Sequence, residues 1–359
     1  MRSTDSEFLH WFKTRKPARF DLTGSGVAPC SISDLEVGID DIDIAGTVSY
    51  GYEPLQQAIA QHSDVPVECV VSASGTSMAN FLVMAALIQP GDVVLIEEPT
   101  YEPILAAARF LGARIKRFER NAGSGTGLKP AMFTARTKLV VLTNLHNPTC
   151  SELAEPELQR IAELAKNANA RVLVDEVYLE CKYETARSAF HLSREIICTG
   201  SLTKAYGLGG LRCGWVLADP DLARQMWRLK DLVDPSVMHA GEQLKVIAFR
   251  RLDCLAVRAR KIVDINRAFL RGFLEACPDL EVAVPDYGAC VFPRMRSGRA
   301  ERLLELLHDR YETDVVPGAF FESPDHFRLG IGMRHEVFAE GLTRLGHALR
   351  DLRFGEESS

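Results

Sequence analysis

Between about residue 65 and residue 220 the chain alternates short, wholly apolar runs with longer amphipathic stretches. Val93-Val94-Leu95-Ile96 ends at Glu97-Glu98-Pro99, and Leu139-Val140-Val141-Leu142 ends at Thr143-Asn144. Val172-Leu173-Val174 leads into Asp175-Glu176, Ile196-Ile197-Cys198 into Thr199-Gly200, and Gly214-Trp215-Val216-Leu217 into Asp219-Pro220. Runs without polar alternation are strands covered on both faces. Helical patterns between them, clearest from Glu155 to Lys166, predict right-handed crossovers. The expected fold is therefore α/β, with a largely parallel sheet flanked by helices. In such sheets ligands bind beyond the carboxyl ends of the strands, where the polar residues just named should lie.

After Pro235 the texture changes. Residues from about 241 to 276 form one long, charge-laced helical pattern without a proline. Strand-like segments follow from Leu280 to Val284 and from Phe327 to Ile331, with a helix from Arg299 to Tyr311, which predicts a smaller α+β domain. The expected division is an N-terminal arm over 1–45, a large domain over 46–240, and a connecting helix with a small C-terminal domain over 241–359. Asn121 to Gly127 is glycine-rich and reads as a surface turn. Glu356-Glu357-Ser358-Ser359 reads as a frayed tail, and Lys13, Arg15 and Lys16 either face the site or, as is commoner, solvate the arm.

A length of 359 residues calls for two domains, or one large and one small. Hydrophobic residues at 47% and charged residues at 25% place the chain among ordinary globular proteins. A net charge of −6 gives no global drive toward nucleic acid or an anionic membrane. The nine cysteines are odd in number, scattered and without a CxxC spacing, so free thiols of a reducing cytosol are expected. No metal-ligand spacing occurs. Met1-Arg2-Ser3-Thr4-Asp5 lacks the apolar core of a signal peptide, and no run is long enough to span a bilayer. A cytoplasmic location is the expectation.

Candidate chemistry gathers at the strand ends. Ser74-Gly75-Thr76 lies between the apolar pair Val70-Val71 and a helical pattern, a turn that serves either as an ordinary cap or as an anion seat at a helix N-terminus. Asp175 either caps a loop or meets a buried cation, and Tyr178 can reach the same side. Asn147, in Asn147-Pro148-Thr149, is a turn residue or an amide at the binding edge. Tyr101 is a half-buried loop tyrosine or a flat face for a ring. In Ser201-Leu202-Thr203-Lys204-Ala205-Tyr206-Gly207-Leu208-Gly209-Gly210-Leu211-Arg212, hydroxylated residues flank a lysine, and an arginine follows a glycine cluster. Those are parts for holding an anion beside an amine that can form a Schiff base.

Together these segments resemble the class I/II aminotransferases dependent on pyridoxal 5'-phosphate (PLP), of the aspartate-aminotransferase-like fold. The matching segments are Ser74-Gly75-Thr76, Pro99-Thr100-Tyr101, Asn147-Pro148-Thr149, Asp175-Glu176-Val177-Tyr178, Ser201-Leu202-Thr203-Lys204 and Gly210-Leu211-Arg212. The likeness runs from roughly residue 20 to 350, and Thr203 to Gly214 looks most like the histidinol-phosphate aminotransferase branch. The resemblance implies that Lys204 forms the Schiff base and later shuttles a proton. It implies that Asp175 pairs with the ring nitrogen, that Asn147 and Tyr178 bond the ring oxygen, and that Tyr101 stacks on the ring. Ser74, Gly75, Thr76, Ser201 and Arg212 are implied for the phosphate. Arg328 is implied for the substrate carboxylate, with Gly26 in the loop that closes over it and Asn147 alongside.

Two positions depart from the family pattern. Cys150 stands where the family has a glycine, for which a modest loop change is expected. Gly46 stands where the family has a tyrosine that reaches the partner subunit's phosphate, with Tyr50 and Tyr52 nearby. The implied activity is transfer of an amino group from an amino acid to a 2-oxo acid in a homodimer. A decarboxylase, β-lyase or oxidase of the same fold is the alternative, because substrate contacts decide which bond breaks. A non-catalytic, PLP-binding regulator is expected to carry a basic DNA-binding segment, and none is legible before residue 20.

Overall fold

The apolar runs are strands of a single sheet. The computed structural model describes residues 5–46, 49–121, 125–297 and 300–356. In chain order its first half comprises α1 (Glu7–Thr14), β1 (Phe20–Asp21), α2 (Glu53–Ser63), β2 (Val70–Ser74), α3 (Thr76–Leu87), β3 (Val93–Glu98), α4 (Glu102–Phe110), β4 (Arg114–Asn121), β5 (Gly125–Thr126) and β6 (Thr137–Thr143). There follow α5 (Glu155–Asn167), β7 (Arg171–Asp175), β8 (Ile196–Ser201), β9 (Cys213–Leu217), α6 (Pro220–Lys230), α7 (His239–Arg250) and α8 (Leu252–Glu275). The last part holds β10 (Leu280–Glu281), β11 (Cys290–Val291), β12 (Arg294–Met295), α9 (Ala300–Tyr311), β13 (Thr313–Asp314), β14 (Val316–Pro317), β15 (Phe327–Gly330) and α10 (His335–Glu356).

The large sheet has the order β2-β9-β8-β7-β6-β3-β4-β5. Strands β8, β7, β6, β3 and β4 are mutually parallel. Successive residues feed opposite cores: Val70 packs with α2, α5 and α8, and Val71 with α3, α4 and α6. That two-sided burial is what the unbroken apolar runs encode. Each buried Val, Leu or Ile contributes roughly 1.5–3 kcal/mol, which makes the sheet a stiff platform for the loops at its edge. Helices α2, α4, α5 and α6 each start with proline in the first turn, where its missing N–H costs nothing.

One strand departs from expectation. β9 runs antiparallel to both neighbours, because residues 202–212 return the chain without a crossover helix. Asp219 therefore lies at the opposite edge from the other strand-end acids. It caps α6 through Leu222 N–H and pairs with Arg171, at the start of β7, at 2.8 Å.

The long helix expected over 241–276 is two helices. Its backbone breaks at Arg251 (φ −115°, ψ 7°), whose guanidinium pairs with Glu36. α8 spans two cores: Leu255 and Ala256 pack under the large sheet, whereas Ala259, Val263 and Leu270 join α9, α10, β11 and β15. Leu22 enters this second core, and β1 pairs in parallel with β13. Arg15 is half-buried and ion-paired rather than solvated, held by Asp314 at 2.5 Å and by Asp21 and Thr23 at 2.7 Å each. Around the expected turn at 121–127, β4 and β5 form a hairpin, and 122–124 lie outside the described residues. So do Arg299 and, in the tail, 357–359.

Candidate active site

Five parallel-running strand ends deliver the site. β2 ends at Ser74 and turns through Gly75, whose φ of +83° is available to glycine without steric cost. α3 then starts at Thr76, so its first N–H groups and the positive end of its dipole face the turn. Arg212 arrives from the far side of the glycine cluster, with Nη2 3.2 Å from the Ser74 carbonyl oxygen. A β-carbon on Gly75 would stand 2.4 Å from that nitrogen. Ser201, at the end of β8, donates to Thr203 Oγ1 at 2.7 Å and accepts from Thr203 N–H at 2.9 Å.

Asp175 ends β7 and is buried. Its Oδ2 accepts from Asn80 Nδ2 at 2.7 Å and its Oδ1 from Val177 N–H at 3.0 Å. Asn80 Oδ1 in turn accepts from Thr199 at 2.7 Å. Burial raises the Asp175 carboxyl to about 6 in spite of those donors, so a cation placed against it would be strongly favoured. Tyr101 caps α4 beneath the edge of Phe8, 5.7 Å between ring centroids, and burial pushes its phenol up to about 12.

The carboxylate end is built around Arg328 on β15, which is 2% exposed. Its Nη1 donates to Asn147 Oδ1 at 3.1 Å and its Nη2 to the Thr23 carbonyl at 3.4 Å. Phe8 and Phe321 face the guanidinium at 5.6 and 5.3 Å. The Asn147 oxygen is thus committed, which leaves its NH2 free to donate elsewhere, and its backbone N–H is fixed by Thr143 Oγ1 at 2.9 Å. Below that loop the buried ion pair of Glu97 with Arg120, at 2.9 Å, anchors Thr143.

Lys204 lies between these groups. Its Nζ donates to Ser25 Oγ at 2.9 Å. Burial first, then the Arg328 charge, hold the Lys204 amine down to about 8. Gly26 packs on the Lys204 backbone, and a β-carbon there would stand 3.0 Å from its Cα and O. The fold brings together every residue singled out in the sequence at this edge. Asn80, Ser25 and Phe8 were missed. Asn80 had a signal, as the one amide in the apolar stretch Met78 to Leu87, and Ser25 stood inside the quoted Gly24-Ser25-Gly26.

The two departures also resolve structurally. Cys150 itself adopts the left-handed conformation that glycine would supply, at φ +56°. At Gly46 a β-carbon would fall 2.6 Å from the His239 ring. Tyr50 donates to Asp231 at 3.1 Å and Tyr52 packs edge-on to His239 at 5.1 Å, so both turn toward α6 and α7. A separate cavity of about 890 Å³, lined by His62, Glu180, Tyr206, Trp215 and Phe249, contains none of the site residues.

The buried Nε of Arg328 and Oγ1 of Thr100 have no hydrogen-bond partner among the described residues. A desolvated guanidinium without a carboxylate, a desolvated carboxylate without a cation, a lowered lysine and a helix N-terminus with an arginine fit PLP and an α-amino acid. Fold and donor set define a PLP-dependent enzyme. The family model described as aminotransferase class I and II matches residues 44–345, and the chain belongs to that family. It is 27% identical over 359 residues to capreomycidine synthase of Streptomyces vinaceus, covering 94% of this chain and 92% of that protein. A PLP-dependent aminotransferase from Streptococcus suis superposes with a TM-score of 0.88 at 24% identity, over 98% of this chain and 99% of the other. The PLP-dependent cyclase OrfR gives 0.85 at 26% identity, over 98% of each chain. None of these three carries the name of the histidinol-phosphate branch. No described helix is long and apolar enough to cross a membrane.

Proposed function

We propose that the protein moves the amino group of an amino acid to a 2-oxo acid. The observation that carries this reading is Arg328, a buried guanidinium with an unpartnered Nε, in the same site as Lys204. Bound PLP supplies an aldehyde that exchanges amines and a ring that withdraws electrons from the substrate Cα. The Thr76 N–H at the start of α3, Ser74, Ser201 and Arg212 would hold its phosphate, with Gly75 leaving room for the Arg212 guanidinium, and Tyr101 would lie on its ring. Asp175 receives the ring nitrogen, and Asn147 and Tyr178 donate to the ring oxygen. Arg328 grips the substrate carboxylate in a fork that lysine lacks, with Gly26 and Asn147 alongside. Lys204, with an amine titrating near about 8, is in part neutral at neutral pH. Its Nζ can therefore attack a carbonyl and afterwards take a proton from the substrate Cα and return it. A cytoplasmic homodimer with a large domain near 46–240 and a small one near 241–359 completes the proposal.

The test is an amino-donor screen on the PLP-loaded protein. Single amino acids should convert the cofactor's absorbance to that of its amine form, and a 2-oxo acid should restore it. No conversion across a broad panel overturns the reading. A second reading is favoured by the likeness to capreomycidine synthase and OrfR over nearly the whole chain: the same site forms a ring, or breaks another bond, on an amino acid. Product formation, or release of ammonia or carbon dioxide, without any 2-oxo acid would select it.

A further inference from the structure

Two thiols beside the site take no part in the amine chemistry. Cys150 Sγ and Cys290 Sγ stand 3.4 Å apart, both buried. Cys290 Sγ also lies 3.5 Å from the Pro148 carbonyl oxygen and 3.8 Å from Tyr178 Oη. Cys150 occupies a left-handed backbone conformation, φ +56°, that suits glycine better than any side chain. Opposite it is Gly288, φ +91°, where a β-carbon would fall 2.4 Å from Cys150 Sγ. The chain thus puts a side chain where the backbone favours glycine, and a glycine where that side chain needs room. What the arrangement achieves is contact between two sulfurs.

Those sulfurs join the two halves of the site. Cys150 belongs to the loop after β6 that carries Asn147, and its N–H donates to the His146 carbonyl at 2.6 Å. Cys290 opens β11, which pairs with β15, Cys290 opposite Gly330 and Val291 opposite Leu329, next to Arg328. We propose that Cys150 and Cys290 are an oxidisable dithiol, a reversible disulfide site that ties the cofactor loop to the carboxylate-binding strand.

The oxidant is a peroxide. Cys290 sulfur attacks one peroxide oxygen and breaks the O–O bond, giving a sulfenic acid and, from hydrogen peroxide, one water. Cys150 sulfur then displaces the sulfenic hydroxyl, which leaves as water with the Cys150 proton, and the S–S bond forms. The two sulfurs give up two electrons in total, and the peroxide takes both. Bonding requires the sulfurs to close from 3.4 Å to about 2.05 Å. Cys290 is the first to react. It lies on the strand beside Arg328, whose charge favours its thiolate over that of Cys150. Exposed Cys254 supplies an internal control.

The experiment treats the reduced, PLP-loaded chain with hydrogen peroxide, blocks remaining thiols with an alkylating agent in denaturant, and maps peptides by mass spectrometry. Cys150 and Cys290 should lose alkylation in parallel, appear as one linked peptide two hydrogens lighter, and be recovered by dithiothreitol. The cofactor absorbance should shift and return on the same schedule. Cys150→Gly, which suits the local backbone, should yield no linked peptide and a Cys290 oxidised beyond recovery. The idea is overturned if both thiols remain alkylated while Cys254 is oxidised. It is equally overturned if Cys290 links to Cys181, or stops at a sulfinic acid in the unmodified chain. The peptide map on the unmodified chain needs neither a folded variant nor amino transfer, so its outcome is separable from that of the amino-donor screen.

Discussion

At the scale of single residues, the site is a set of ionisable groups whose burial sets their protonation. Asp175 shows what that burial costs. Its carboxyl titrates near about 6 instead of 3.8, so the folded cofactor-free chain binds this proton more tightly than the unfolded chain does. Between about pH 4 and 6 the contribution of Asp175 to stability therefore falls as pH rises, by roughly 3 kcal/mol at 1.36 kcal/mol per pH unit. Glu176, raised by burial to about 7, acts in the same direction. Comparing the cofactor-free protein with Asp175→Asn isolates the first residue. The variant should lose less melting temperature between pH 4.5 and 7, and it should hold PLP less tightly; parallel melting curves would refute the assignment. Arg328→Lys should lower kcat/KM for the amino donor by about 10–100-fold, since a hydrogen-bonded charge contributes ~1.5–3 kcal/mol. The cofactor spectrum should remain unaltered. Residue types and strand ends made Asp175, Lys204 and Arg328 legible in the sequence. Ser25 was not assigned, because nothing in Gly24-Ser25-Gly26 states that β1 and β13 will bring that loop over Lys204.

At the scale of elements, α3 does more than present a phosphate-binding end. It also carries Asn80, which spans from Asp175 on β7 to Thr199 on β8. Asn80→Ala leaves a buried carboxylate oxygen and a buried hydroxyl without partners, at ~1–3 kcal/mol each. PLP should dissociate faster, and the Asp175 titration should move further up, measurable as a shift in the pH dependence of melting. Unchanged PLP retention would show that Asn80 only fills space. α1 is the other informative element: Phe8 joins Tyr101 to Phe320 and Phe321 and covers Arg328. Phe8→Ala should raise KM several-fold with little change in global melting temperature, because the residue belongs to a small satellite cluster. β3, β6, β7, β8 and β9 were legible because two-sided burial keeps their centres apolar, whereas β4, with charged residues at Arg114, Lys116, Arg117, Glu119 and Arg120, was not. The direction of β9 and the break at Arg251 were not. The first depends on what the chain does between strands, and the second has neither glycine nor proline to mark it.

At the scale of the whole molecule, one surface remains unexplained by a single chain. Ile39, Ile44, Leu232 and Met238 are 88%, 91%, 79% and 77% exposed, with Tyr50 and Val233 beside them. They form one region: Asp43 N–H donates to Gln243 at 2.7 Å, Tyr50 to Asp231, and Gly46 lies against His239. α7 also packs on the turn that precedes Arg212, so this apolar region adjoins the phosphate end of the site. Exposed apolar residues gathered on adjoining segments mark an association surface, and a two-fold pairing lets one patch cover itself. The site's own geometry points the same way. Arg212 is solvent-exposed in the single chain, so a second copy over this region would enclose a phosphate end that one chain leaves open. Light scattering of the PLP-loaded protein should give a mass near twice 39.8 kDa. Leu232→Glu combined with Met238→Glu should yield monomers that keep their far-ultraviolet spectrum and lose PLP more readily on dilution. A wild-type monomer at micromolar concentration would remove the dimer, and a charged-patch monomer that retains PLP fully would show that each phosphate end is complete within one chain.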